Sequence, residues 1–158
     1  MLNDLVIDTN VLVHAQNPSE QRFSASTRFL SALLDAPTVL CVDHGFACDE
    51  AQNRSHIGTE YLQNLRAGSF ALQVVATLAG SGRVRQVERR APQATARQIN
   101  QLLRNRFDRI FLSVAFNSTE RILVSHDFQD FQLPKRQTIR QTLNVRVIEA
   151  HVCAPELT

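Results

Sequence analysis

The chain has 158 residues, of which 44% are hydrophobic, enough to fill the core of one domain. No apolar run approaches the roughly 18 residues of a membrane helix, and MLNDLVID lacks a basic segment leading into an apolar one, so neither a membrane span nor a signal peptide is expected. The net charge of +2 diagnoses no partner, and three cysteines without a CxxC pair (Cys41, Cys48, Cys153) point to reduced thiols in a cytoplasmic protein and argue against zinc.

Leu5–Asp8 reads as a buried parallel strand, short and aliphatic with a polar residue at its end. Ser24 to Leu34 carries apolar residues at helical spacing, and Pro37 breaks the pattern. Residues 38–42 (TVLCV) form a second strand, followed by Asp43. The segment from about Phe46 to Leu65 is helical in character, with an interruption near Ser55–Gly58. A further helical run follows Gly68 and ends at Gly80 and Gly82.

Between Arg83 and Arg109 there are eight arginines against two acids, and the start of this segment reads as a connection. Such a stretch either binds phosphates through guanidinium forks or is a solvated face in a chain with sixteen Arg and one Lys. Ala91-Pro92 opens a helix that runs to about Arg104, since proline is accommodated in a first turn. Phe107 to Phe116 is the next helix, with Asp108 at its start. Residues 121–124 (RILV) form a strand ending in Ser125-His126-Asp127, Pro134 marks a loop, and residues 145–148 (VRVI) form the last strand. The expectation is one domain over residues 1–150 with a short C-terminal tail, 151–158, that frays.

Strands alternating with helices imply right-handed crossovers and a mostly parallel sheet, hence a three-layer α/β/α sandwich. In such sheets ligands bind beyond the carboxyl ends of the strands, where the strand order switches. Asp8, Asp43 and Asp127 all follow strands, so acids distant in sequence converge there. Aspartate is seldom buried unless it is paired or bound to a metal. Mg²⁺ and Mn²⁺ take hard oxygen ligands, and a cation removes the repulsion among crowded carboxylates. The candidate ligands are Asp8, Glu50, Asp108 and Asp127, with Asp130, Asp49 and Asp43 behind them. Taken singly, each of these acids also reads as a turn former, a helix cap or a solvent-facing charge.

The order VIDTN, an acid after the second strand, FDRIFLSVA and ILVSHDFQDF resembles the PIN-domain family, metal-dependent nucleases that include the VapC-type toxins. The motifs that carry the resemblance are Asp8-Thr9-Asn10, Glu50 in CDEAQNR, Asp108 through Ala115, and Ser125-His126-Asp127 with Asp130-Phe131; they span residues 5 to about 148. Glu50 is preferred to its neighbour Asp49 because the family has Glu there. The resemblance implies hydrolysis of RNA phosphodiester bonds with Mg²⁺ or Mn²⁺ held by Asp8, Glu50, Asp108, Asp127 and Asp130. It also makes Asn10 and Ser125 groups that orient the first and last of the four principal acids. Arginines of the basic stretch, Arg83, Arg85, Arg89 and Arg90, would hold the RNA backbone. A homodimer and, for a toxin, an antitoxin partner follow from the same resemblance. The chain is longer than a compact toxin of this type, with extra residues between about Gly58 and Ala91.

His126 lies within the acidic motif and reads as a turn histidine exposed to water. Ser125 lacks the G-x-S-x-G setting of a hydrolase nucleophile. A phosphatase of the haloacid-dehalogenase type would need D-x-D where this chain has Asp8-Thr9-Asn10. The alternative outside enzymes is a catalytically inactive PIN scaffold that binds RNA or a protein partner.

Overall fold

A strand that is apolar at every position needs cover on both faces, and Leu5-Val6-Ile7 has it. In the computed structural model, which describes residues 1–158, Asp4–Ile7 is strand β1 and is buried throughout. The chain continues through helices α1 (Thr9–His14) and α2 (Phe23–Asp35), strand β2 (Val39–Asp43), helices α3 (His56–Asn64) and α4 (Phe70–Gly80), and strand β3 (Val84–Val87). Helices α5 (Gln93–Leu102) and α6 (Arg106–Asn117), strand β4 (Ile122–Val124), helix α7 (Leu133–Leu143), strand β5 (Arg146–Ile148) and helix α8 (Ala150–Cys153) complete it.

The five strands form one sheet in the order β3-β2-β1-β4-β5, and every pairing is parallel. From β1 the chain builds outward through β2 to β3. It then crosses back to place β4 on the other side of β1, where Ile7 pairs with Val124. The switch in strand order therefore lies between the carboxyl ends of β1 and β4. Helix α6 packs across β1, β2 and β4 with α5 beside it, while α2 packs with α1, α4 and α8. The architecture is the expected α/β sandwich, with a wholly parallel sheet. No helix is long and apolar enough to cross a membrane.

Four local expectations differ from the structure. Residues 84–87 form an edge strand: Val84 and Val87 are half-buried and Arg85 and Gln86 exposed, a pattern too short to stand out in sequence. Pro134 begins helix α7 instead of marking a loop, because a proline in the first turn forfeits no intrahelical hydrogen bond. Residues 46–55 are turns and irregular chain, and the helix starts at His56, where Ser55 Oγ accepts from the Gly58 amide. The tail does not fray, since Cys153 and Leu157 are buried and Glu156 pairs with Arg146.

Candidate metal centre

Asp8 follows β1 directly and precedes the first turn of α1. Its Oδ2 accepts from Ser125 Oγ at 2.7 Å and from Asn10 Nδ2 at 3.2 Å. The Asp8 amide donates to the Val124 carbonyl at 2.9 Å, which ties the ends of β1 and β4 together. Asn10 Oδ1 accepts from the His126 amide at 3.0 Å, so one Asn side chain clamps both motifs. Beneath them Tyr61, fully buried against Phe111, donates its hydroxyl to the Ile7 carbonyl.

Asp127 leaves β4 through a tight turn. Its amide donates to Ser125 Oγ at 3.1 Å, and its Oδ1 accepts from the amides of Gln129 at 2.9 Å and Asp130 at 3.0 Å. Asp108 stands in the first turn of α6, which Asn105 caps by accepting from Phe107 and Asp108. Asp8, Asp108 and Asp127 each present a carboxylate oxygen, and these oxygens lie within 4.8 Å of one another. Asp130 is a further carboxylate near Asp108.

Electrostatically the cluster is frustrated. Burial, opposed in part by the Ser125 hydrogen bond and reinforced by Asp127, raises the Asp8 carboxyl to about 6. Burial first, then the neighbouring Asp130 and the charges of Asp8 and Asp127, raises Asp108 to about 8. Asp108 Oδ2 is buried with no hydrogen-bond partner. Three converging carboxylates with an orphaned oxygen are a donor set that fits a hard divalent cation.

Glu50 is not part of this group. It lies exposed in the turn 49–52, where Asp49 Oδ1 accepts from the Ala51 amide at 2.8 Å. Helix α3 begins too late in the chain to carry either acid. Asp43 is buried but fully engaged: it accepts from Ser55 Oγ at 2.5 Å, the His56 amide at 2.7 Å and the Ile57 amide at 2.9 Å. It holds the start of α3. Its signal in the sequence was the downstream Ser55 before the helically spaced Ile57 and Tyr61.

His126 is buried, not exposed. Its Nε2 accepts from the Ala150 amide at 3.2 Å, which leaves the proton on Nδ1, 2.9 Å from His14 Nδ1. The two rings stack, and burial, then the neighbouring His14, lowers the His126 pKa to about 3. His126 thus braces the turn as a neutral ring. Of the arginines expected to meet RNA, two are engaged elsewhere. Arg83 donates to the carbonyls of Leu33, Leu34 and Ala36 at the end of α2, and Arg85 pairs with the buried Asp4. Arg89 and Arg90 stand beside a polar cavity at the ends of β2 and β3. A cavity of about 760 Å³ between α7 and β5 is lined by none of Asp8, Asp108 and Asp127.

Compared with models of protein families, with curated proteins and with solved structures, the chain matches none.

Proposed function

We propose that the protein is a metal-dependent endoribonuclease of PIN-like type. The single observation that carries this reading is the convergence of Asp8, Asp108 and Asp127 at the β1–β4 switch point, with one buried Asp108 oxygen unpartnered. Asp8, Asp108 and Asp127 would hold Mg²⁺ or Mn²⁺, which would activate a water and offset charge on the phosphate. The chain's own groups fix the donors. Ser125 and Asn10 restrain Asp8, the amides of Gln129 and Asp130 restrain Asp127, and Asn105 sets the start of the helix that carries Asp108. Asp130, near Asp108, is the further acid proposed to hold the ion.

RNA is the proposed substrate on the strength of the PIN resemblance. That resemblance extends the proposal to a cytoplasmic toxin that pairs with an antitoxin and forms a homodimer. The exposure of Glu50 favours one other reading, an inactive PIN scaffold that binds RNA or protein. The deciding experiment is cleavage of a panel of single-stranded and structured RNAs in Mn²⁺, Mg²⁺ or EDTA, with wild type and Asp8→Asn side by side. Metal-dependent cutting lost in the variant supports the nuclease. No cutting, together with no stabilisation by Mn²⁺, leaves the scaffold.

A further inference from the structure

At the carboxyl ends of β2 and β3 a cavity of about 490 Å³ is lined by Asp43, His44, Arg54, Glu88, Arg89 and Arg90, with no hydrophobic residue. Its walls are built by specific contacts. Gly45 has a φ of +88°, and a Cβ there would lie 2.8 Å from that of Arg54, so the turn that folds residues 44–54 back requires glycine. The Arg54 amide closes this turn on the Gly45 carbonyl at 2.7 Å, and the Gly45 amide donates to Gln86 of β3 at 2.8 Å. Across the cavity, Asn117 Nδ2 donates to the carbonyls of Glu88 at 2.7 Å and Arg90 at 3.1 Å.

Both acids in the lining are already engaged. Asp43 caps α3 with both oxygens, and Glu88 accepts from the Arg90 amide at 3.0 Å. The guanidinium groups of Arg89 and Arg90 make no hydrogen bond or ion pair, and Arg54 uses only Nη1, toward the carbonyls of Ala51 and Asn53. Three cations with unused donors face a polar space with two acids, of which Asp43 is fully engaged at α3 and Glu88 accepts one amide, so the lining keeps a net positive charge suited to phosphate.

The place of the cavity matters as much as its charge. Asp43 pairs in register with Val87, and β2 is the neighbour of β1, so this cavity and the aspartate cluster open at the same edge of the sheet. Two strand spacings, roughly 10 Å, separate the β3 end from the β1 end. His56 opens α3, and Arg89 and Arg106 both lie near it: burial, then Arg89, opposed by Asp43 and joined by Arg106, lowers its pKa. Arg106 is exposed and is only two residues from Asp108.

We infer that the Arg54–Arg89–Arg90 cavity is a second phosphate site, which holds the backbone of a single-stranded RNA whose neighbouring segment lies over Asp8, Asp108 and Asp127. The identity of the ligand rests on the nuclease reading. Its test does not, because binding is measured without metal or turnover.

The probe is a fluorescently labelled single-stranded RNA of mixed sequence, titrated in EDTA at several salt concentrations and followed by anisotropy. Arg89→Ala/Arg90→Ala is expected to bind at least about tenfold more weakly, with a salt slope shallower by about 1.4 for two lost phosphate contacts. Arg89→Lys/Arg90→Lys restores the slope, and Arg140→Ala in the other cavity stays within about twofold of wild type. Thermal melts equal to wild type show that the alanine variant is folded. Binding by the alanine variant within twofold of wild type overturns the inference, as does an equal loss in Arg140→Ala or no binding by wild type. If wild type binds RNA through these arginines but cuts nothing, the second site stands and the nuclease falls. If it cuts RNA while the arginine substitutions change neither binding nor slope, the nuclease stands and the second site falls.

Discussion

Replacing Asp8 by Asn should stabilise the metal-free protein, although Asp8 is buried and accepts two hydrogen bonds. The carboxyl titrates at about 6 in the fold against an ordinary 3.8. A group whose folded pKa is raised contributes stability below its unfolded pKa and loses it as pH rises through the folded value. The window therefore runs from about pH 4 to about pH 6. At roughly 1.4 kcal/mol per unit, the 3.8-to-6 rise makes charged Asp8 cost about 3 kcal/mol above that window. Integrated over the titration, the same shift leaves about 0.6 kcal/mol at pH 4.

Asn can keep both contacts, since its carbonyl oxygen accepts from Ser125 and Asn10 while its amide donates toward the neighbouring carboxylates. For a chain of this size 1 kcal/mol moves the melting temperature by about 2–4 °C. Melts in EDTA should therefore place Asp8→Asn level with wild type, within a degree or two, near pH 4 and roughly 5–10 °C above it at pH 7.5. An Asn variant that is less stable than wild type at pH 7.5, or offset by the same amount at both pH values, would refute the reasoning. Asp8 would then be an ordinary structural carboxylate.

The same cluster predicts a ligand effect: Mn²⁺ at 100 times its dissociation constant should stabilise wild type by about 2.7 kcal/mol, and calorimetry should find no such gain in Asp8→Asn. Glu50→Gln should leave RNA cleavage within about twofold of wild type, whereas Asp130→Asn, beside Asp108, should lower it about tenfold. Asp43→Ala strips the start of α3 of its acceptor, and urea unfolding should show a loss of about 2–4 kcal/mol from the lost cap and stranded donors. Its melting temperature should still rise with Mn²⁺ as wild type does, since Asp43 lies outside the cluster.

Much of the fold was legible because its central strands are simple. Leu5-Val6-Ile7 and Leu40-Cys41-Val42 are buried at every position, and such runs read as strands without help from context. The switch-point rule named three acids at strand ends; of these Asp8 and Asp127 do converge, joined by Asp108 from the start of α6, while Asp43 caps α3 instead. The misplaced acid shows the limit. Assigning Glu50 required a helix through residues 46–55, but Ser55 caps α3 at His56, and the partner that fixes this start, Asp43, is twelve residues earlier in the chain. Likewise the basic stretch reads as one feature, yet Arg83 serves a helix end and Arg85 a buried acid while Arg89 and Arg90 remain free. Composition cannot separate those fates, because they depend on which carbonyls and carboxylates the sheet brings alongside.

The strongest argument that the cluster is functional comes from comparing the carboxylates the fold buries at strand ends. Asp4, at the start of β1, accepts from the amides of Thr119 and Glu120 and pairs with Arg85. Asp43, at the end of β2, accepts from three donors at the start of α3. Both follow the rule that a buried charge is matched by donors or a cation. Asp8 lies one residue beyond the other end of β1, where its neighbours Asp108 and Asp127 are themselves carboxyl groups and no cationic side chain pairs with it. The same chain therefore matches the charge fully twice and only in part once, at the place where strand order reverses. Structural selection alone would favour Asn or Ser at position 8, which would keep the contacts to Ser125 and Asn10 without the charge. A divalent cation among the three carboxylates would remove the cost, which is the physical ground for proposing a metal there.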